Sequence, residues 1–277
     1  MSRYAAMFER LRSKGEGAFG AFVMLGDPDP LTSASVLDAL VVGGADMIEV
    51  GIPFSDPVAD GPVIQASANR ALNAGVRTAD CLNMIAAFRD RHPDIPLGIL
   101  TYANLVVARG RRDFFRRAAK AGADSLLVAD LPSIEAEPWA NEMREEGVDP
   151  VLIAASNTPD ATLRRIAQLA GGYTYCVTRA GITGNHSSAR FDCSLIERLR
   201  DLGAPPPVFG FGIADPNHVR DGLAAGAFGV ICGSAIVSRI AGSSSPAAAV
   251  APFVASLKAA TRQESSLLRN ELHAQAV

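Results

Sequence analysis

The chain has 277 residues, of which 48% are hydrophobic, so it can bury a large core, and one domain is expected. Its formal net charge is −3 without a block of like charges, which argues against a nucleic-acid partner. No apolar run approaches the roughly 18 residues that cross a bilayer, and residues 1–17 are charged and amphipathic, unlike a signal peptide. The protein is therefore expected to be cytoplasmic, with no membrane contact.

Eight short apolar, β-branched runs recur along the chain, and each is followed by a helical pattern. The predicted strands are 20–25, 46–51, 96–102, 124–130, 150–155, 173–178, 207–212 and 228–233. The predicted helices are 30–43, 62–74, 78–91, 111–121, 134–146, 159–170, 194–202, 215–225 and 246–261, after an extra N-terminal helix. Turns such as "AGAD" at 121–124 place glycine after a helix and lead into the next strand.

Strict alternation of apolar strands and helices is typical of an α/β protein with a covered parallel sheet. Eight such units predict a (β/α)8 TIM barrel, with a doubly wound open sheet as the alternative. We expect the barrel to occupy residues 1–262 as a single domain. Residues 263–277 are expected to form an optional C-terminal tail, helical or flexible.

Barrel enzymes carry their chemistry at the carboxyl ends of the strands. The polar residues expected there are Glu49, Asp60, Tyr102, Asp130, Tyr173, Tyr175, Arg179 and Thr183. The three lysines lie in helices or before the first strand, so covalent Schiff-base chemistry is not expected. The four histidines form no cluster and the four cysteines have no metal-ligand spacing, so no metal is expected and the cysteines are expected to be reduced structural thiols.

Carboxylate acid–base catalysis remains, and Glu49 is the best-placed group because a strand end is rigid and its apolar walls raise a carboxyl pKa. The alternative for Glu49 is a buried ion pair with an arginine. Glycines at the ends of the last two strands predict a phosphate site at Gly212, Gly233 and Ser234, with a short helix beginning at "GSAIV". Tight turns are the alternative there, and the "RAGITG" segment at 179–184 is either a lid or an ordinary surface loop.

Seven segments in order, "LGDPDP", "IEVGIPFSDPVADGPVIQ", "YANLV", "LLVADLP", "YTYCVTRAGITG", "GFGIADP" and "GSAIV", resemble the α subunit of tryptophan synthase. They span residues 25–237, and "GIPFSDPVADGP" is the most specific. The resemblance implies a lyase that cleaves indole-3-glycerol phosphate to indole and glyceraldehyde 3-phosphate in tryptophan biosynthesis. It implies no cofactor in this chain, and a pyridoxal-phosphate β subunit as the partner in an α2β2 complex.

The resemblance also implies roles for individual residues. Glu49 would be the general acid–base, and Asp60 would stabilise the positive charge that develops on the indole ring. The residues implied to line the indole pocket are Phe22, Leu100, Leu127, Ala129, Ile153 and Tyr175. Those implied at the phosphate are Gly184, Phe211, Gly212, Gly233 and Ser234, with Thr183 as the lid residue. The implied partner contacts are Pro53, Asp56, Pro57, Asn104 and Pro132.

Three places depart from the family's usual pattern: Met24, Thr101 and the stretch 154–160. None of them removes a proposed catalytic group, whereas they leave the strength of coupling to a partner open. A free-standing lyase that releases indole uses the same residues and is the nearest alternative. A sugar-phosphate isomerase on the same barrel and an inactive regulatory partner are two further alternatives.

Overall fold

The computed structural model describes residues 1–177 and 191–262. Its strands are β1 Ala18–Met24, β2 Met47–Gly51, β3 Leu97–Thr101, β4 Ser125–Val128, β5 Asp149–Pro150, β6 Leu152–Ala155, β7 Thr174–Val177, β8 Pro207–Phe209 and β9 Gly229–Cys232. Every ladder is parallel, and the order across the sheet is β5-β4-β3-β2-β1-β9-β8-β7-β6. Only Val151 separates the two outermost strands, β5 and β6, so the sheet closes into a ring and the predicted barrel is confirmed.

Helices surround this ring. They are α1 Arg3–Ser13, α2 Pro30–Val42, α3 Pro62–Asn73, α4 Thr78–Arg91, α5 Ala103–Val107, α6 Arg111–Ala121, α7 Ala136–Glu145, α8 Asp160–Leu169, α9 Cys193–Asp201, α10 Pro216–Ala224, α11 Ser234–Ala241 and α12 Pro246–Ala259. A 3₁₀ turn, Ser133–Glu135, precedes α7. Asp29 and Asp215 cap α2 and α10 with their side chains, and proline follows each cap, as the start signals predict. Within the described ranges no helix is long and apolar enough to cross a membrane.

Two local features differ from the sequence-based expectation. The predicted strand 150–155 is split at Val151, because Asp149 and Pro150 pair only with β4 whereas 152–155 pair only with β7. Pro150 has no N–H to donate, which limits how far the first piece can extend its ladder. Helix α5 was not predicted, because five residues are too few to show a helical period.

Helix α1 closes the amino-terminal end of the barrel. Arg3 forms an ion pair with Asp124 at 2.8 Å, just before β4, and Arg10 pairs with Asp46 at 3.2 Å, just before β2. Two surface cavities of about 420 and 330 Å³ flank this helix, and none of the predicted site residues lines either one. Asp60 follows β2 and Gly233 follows β9, so the predicted site lies at the other end of the strands, where the carboxyl ends meet.

Candidate active site

Glu49 is buried in β2 with only 3% of its surface exposed. In the sheet register it lies between Phe22 of β1 and Gly98 of β3. The Tyr173 hydroxyl donates a hydrogen bond of 2.7 Å to its Oε1 atom, while its buried Oε2 atom has no partner in the described part of the chain. A buried carboxylate oxygen without a donor is costly, so this atom is available to a ligand.

Burial raises the pKa of Glu49 from 4.5 to about 7, the hydrogen bond from Tyr173 lowers it, and the negative charge of Asp60 raises it further. A carboxyl group with this pKa exists in both protonation states near neutral pH, so it can both give and take a proton. The partner of Glu49 is thus a phenol, and the alternative of a buried ion pair with an arginine is not found among the described residues.

Two tyrosines support the Glu49 side chain from the amino-terminal end of the barrel. The Tyr173 ring lies 5.4 Å from the ring of Tyr4 in α1, and the hydroxyls of Tyr4 and Ser125 share a hydrogen bond of 2.9 Å. Gly98 makes room for this arrangement, because a Cβ there would lie 2.6 Å from Ser125 Oγ and 3.1 Å from Tyr4 Oη. Helix α1 therefore contributes directly to the layer on which the Glu49 carboxyl rests.

Asp60 is partly exposed on the loop between β2 and α3. Its N–H donates to the carbonyl of Pro57 at 3.0 Å, and its carbonyl accepts from Gln65 Nε2 at 2.8 Å. Tyr102, predicted only as a polar strand-end residue, accepts a bond from the Ala59 N–H at 3.2 Å. Burial raises the pKa of Asp60, and a hydrogen bond with Tyr102 opposes that rise. Neither Gln65 nor Tyr102 could be connected with Asp60 from the sequence, because these contacts depend on how the loop folds back.

Tyr175 contacts the segment after β8 and lies close enough to Glu49 and Asp60 for their charges to act on it. Its hydroxyl donates to the carbonyl of Gly210 at 3.1 Å, and its ring meets Phe211 edge-on at 6.2 Å. A Cβ on Gly210 would lie 2.0 Å from the Tyr175 ring, so only glycine fits there. Burial raises the pKa of Tyr175 well above its ordinary value, and the charges of Glu49 and Asp60 raise it further. The structure thus brings Glu49, Asp60 and Tyr175 together at the same end of the barrel.

The other predicted pocket residues lie on neighbouring strands at this end. Leu100 of β3 is in register with Gly51 of β2 and Leu127 of β4, and Ile153 of β6 is in register with Tyr175 of β7. Phe22 and Leu127 are buried, whereas Leu100, Ala129 and Ile153 are partly exposed. These side chains can form the walls of a flat apolar slot beside Glu49.

The predicted phosphate residues lie next to this slot. Gly233 directly precedes α11, whose first residue is Ser234, and its ideal Cβ would lie 3.4 Å from the Phe22 ring. Gly212 has a φ of +79°, which favours glycine. The start of α11 thus lies beside the Phe22 ring, and the positive dipole end of a helix N-terminus suits an anion. Thr183, Gly184 and the rest of the predicted lid lie outside the described residues.

The loops after β2, β3 and β4 carry the predicted partner contacts. Asp56, Asn104 and Pro132 are exposed, Pro57 is partly exposed, and Pro53 is buried and offers no surface. Three large apolar side chains that were not predicted are exposed on the same loops: Val58 at 77%, Val107 at 47% and Ile134 at 73%. These three residues, Val58, Val107 and Ile134, are called the apolar trio below.

The described ranges hold no group of three or more histidine, cysteine or acidic residues that could bind a metal ion. Cys81, Cys176 and Cys232 are buried free thiols, and Cys193 is an exposed one. Burial raises the pKa of each of the three buried thiols to about 12, so they stay protonated and unreactive.

Comparison with known proteins decides the family. The family model "Tryptophan synthase alpha chain" matches residues 8–265. The chain belongs to the tryptophan synthase alpha chain family. It is 47% identical over 267 residues to the alpha chain of Serratia proteamaculans, covering 95% of this chain and all of that one. It is 49% identical over 241 residues to the alpha chain of Shewanella amazonensis, covering 87% and 91%.

Solved structures agree with this family assignment. A Mycobacterium tuberculosis tryptophan synthase structure matches with a TM-score of 0.87 at 30% identity, covering 95% of this chain and 99% of that one. The tryptophan synthase subunit alpha of Legionella pneumophila matches with a TM-score of 0.84 at 29% identity, covering 94% and 98%. The predicted resemblance, the TIM barrel and the enzyme class are confirmed: the chain is a lyase of tryptophan biosynthesis.

Proposed function

We propose that this chain cleaves indole-3-glycerol phosphate to indole and glyceraldehyde 3-phosphate as the alpha subunit of tryptophan synthase. The observation that carries the proposal is the buried Glu49 carboxyl, whose pKa is about 7 and whose Oε2 atom has no partner among the described residues. Asp60, on the adjacent loop, supplies a second carboxylate. Membership of the family supports the same reaction.

In the proposed mechanism, protonated Glu49 gives its proton to C3 of the indole ring. The ring nitrogen then carries positive charge. The Asp60 carboxylate stabilises this charge while it accepts a hydrogen bond from the indole N–H. Loss of the proton from the glycerol hydroxyl breaks the bond between C3 and the side chain, so the bond electrons return to the ring and an aldehyde is released. Glu49 assists that proton loss in its ionised form, which is why a pKa near neutrality suits it.

Substrate binding is proposed to divide between two parts of the site. The apolar slot would hold the indole ring, with Phe22, Leu100, Leu127, Ala129, Ile153 and Tyr175 as its walls. The phosphate would bind at the start of α11, near Phe211, Gly212, Gly233 and Ser234. Gly184 is proposed to bind the phosphate as well, and Thr183 is proposed to be the lid residue that closes over Asp60. Because phosphate is fixed at one end and the ring at the other, the scissile bond would be aligned with Glu49.

The proposed partner is a tryptophan synthase β subunit, in an α2β2 complex. The apolar trio, Val58, Val107 and Ile134, supports a protein partner because it adjoins the exposed Asp56, Asn104 and Pro132. Pyridoxal phosphate would be held by that partner, with no cofactor in this chain.

We also propose a single domain over residues 1–262, with 263–277 as a tail. A cytoplasmic location is proposed as well, and three buried free thiols are consistent with it.

Indole formation from indole-3-glycerol phosphate, measured with and without a β subunit, tests the function. The expected result is slow cleavage alone and faster cleavage with the partner, and no cleavage by the Glu49→Gln variant. A fast isolated enzyme that gains nothing from the partner would favour the free-standing lyase, which family membership does not favour. Turnover of a sugar phosphate without indole formation would favour the isomerase alternative, and retained cleavage by Glu49→Gln would refute the assigned role of Glu49.

Partner binding is tested separately with the Ile134→Glu variant. A charge in the middle of an apolar contact should weaken binding of the β subunit about tenfold or more, as measured by calorimetry. Val42→Glu is the matched control, because Val42 is 80% exposed at the far end of α2. Equal affinities for the two variants would contradict the proposed contact face.

A further inference from the structure

An ion pair between α3 and the loop after β1 joins a buried carboxylate to a guanidinium whose side chain is 32% exposed. Arg70 Nε and Nη2 donate to the two oxygens of Asp27 at 2.7 and 2.8 Å, and the Asp27 side chain is only 1% exposed. A two-point contact of this kind fixes orientation as well as distance. Because burying such a pair contributes little net stability compared with apolar packing, its geometry points to positioning.

The same loop is tied to the strand that carries Glu49. The N–H of Leu25 donates to the carbonyl of Gly51 at 3.0 Å, directly after Glu49 and Val50 in β2. Next along the loop, Gly26 has a φ of +81°, and a Cβ there would lie 2.4 Å from Val76, which follows α3. The beginning of the loop is thus fixed to β2, and its middle packs against the far end of α3.

Helix α3 in turn holds Asp60. It begins at Pro62, two residues after Asp60, and Gln65 in its first turn donates to the Asp60 carbonyl at 2.8 Å. Arg70 lies on the same rigid helix, five residues after Gln65. A shift of α3 along its axis would therefore move the Asp60 backbone relative to β2, and hence relative to Glu49.

We propose that Asp27 and Arg70 are positioning residues that, through α3 and Gln65, hold Asp60 at its working distance from Glu49. Neither residue touches the reacting atoms. The inference rests on the proposed function of Asp60 and adds to it the group that fixes its place. The proposal also assigns a structural role to the "LGDPDP" segment, which above served only as one of the segments that resemble the family.

Kinetics of three variants test the proposal. Arg70→Lys keeps the charge but loses the two-point contact, Asp27→Asn removes the charge, and Gln65→Ala removes the link at an exposed position. We expect kcat for indole formation to fall about 10- to 100-fold with little change in KM, because a displacement of about 1 Å has such effects. Arg91→Lys is the control, since Arg91 and its partner Asp38 are 41% and 40% exposed. Its kcat should match that of the wild type.

A second readout separates positioning from mere stability. The charge of Asp60 raises the pKa of Glu49, so a displaced Asp60 should lower that pKa in Arg70→Lys and in Gln65→Ala. Carbon-13 NMR titration of labelled glutamate, assigned with Glu49→Gln, measures it without turnover. Variants that unfold more easily but keep both kcat and the Glu49 pKa would overturn the proposal. A wild type that forms no indole would refute the proposed function, while the titration would still decide whether the pair positions Asp60.

Discussion

Replacing Glu49 with glutamine should stabilise the protein in a pH-dependent way. The pKa of Glu49 is 4.5 in an open chain and about 7 in the fold, chiefly because the carboxyl is buried. Below about pH 4.5 the carboxyl is protonated in both the folded and the unfolded chain, so its ionisation does not change the free energy of unfolding. As the pH rises toward 7, the unfolded chain ionises while the folded chain keeps its proton, so the free energy of unfolding falls.

The magnitude follows from the size of the pKa shift. A shift from 4.5 to about 7, at about 1.4 kcal/mol per unit, makes the wild type about 3 kcal/mol less stable above pH 7 than below 4.5. Glutamine is neutral throughout, so it keeps the shape of the side chain without this loss. The advantage of Glu49→Gln over the wild type should therefore grow by about 3 kcal/mol across this range.

Denaturant unfolding of both proteins at several pH values between about 4.5 and about 8 measures this difference. Other titrating groups contribute equally to both proteins, so subtraction isolates Glu49. Glu9→Gln is a matched control, because it makes the same exchange at an exposed position of α1. A constant difference between Glu49→Gln and the wild type would show that the carboxyl ionises normally in the fold, and the acid–base argument would fail.

Three further predictions concern neighbouring residues. Tyr173→Phe removes the 2.7 Å hydrogen bond that lowers the Glu49 pKa. The midpoint of the pH profile of kcat/KM should therefore move upward, by about one unit or more. An unchanged midpoint would contradict the contact. Thr101→Val removes a buried hydroxyl that has no hydrogen-bond partner among the described residues. The free energy of unfolding, measured by denaturant titration, should rise by about 1 kcal/mol. A lower free energy of unfolding would mean that the hydroxyl has a hydrogen-bond partner. Ser234→Asp puts negative charge at the start of α11 and should raise KM for the phosphate substrate with little change in stability; an unaltered KM would rule out a phosphate there.

Much of the fold is predictable because local signals and the overall pattern agree. The starts of α2 and α10 carry both an acidic cap and a proline, and the glycines after α6 and α10 mark the turns into β4 and β9. The break at Val151 was not predictable, since it depends on which neighbour each half of the strand pairs with. Helix α5 is too short to show a period.

The candidate site was predictable in its chemistry but not in its supports. Glu49 follows from its place near the end of a strand and Asp60 from its place in the loop behind it, and the lack of suitable lysines and clustered histidines in the sequence leaves acid–base chemistry. The contacts of Tyr173, Gln65 and Tyr102 join residues far apart in the chain or depend on the path of a loop. The apolar trio was not recognised because valine and isoleucine normally indicate a core, and only the structure gives their exposure.

Helix α1 has a practical consequence for the preparation of this enzyme. Arg3 and Tyr4, at its start, contact Asp124 and the Tyr173 ring, and Tyr173 donates a hydrogen bond to the Glu49 carboxyl. An affinity tag fused ahead of Met1 would therefore be attached only two residues from a helix that supports Glu49. Rate constants measured on such a fusion would include the effect of the tag on this helix. Kinetic work on this chain therefore requires that the tag be removed by proteolytic cleavage.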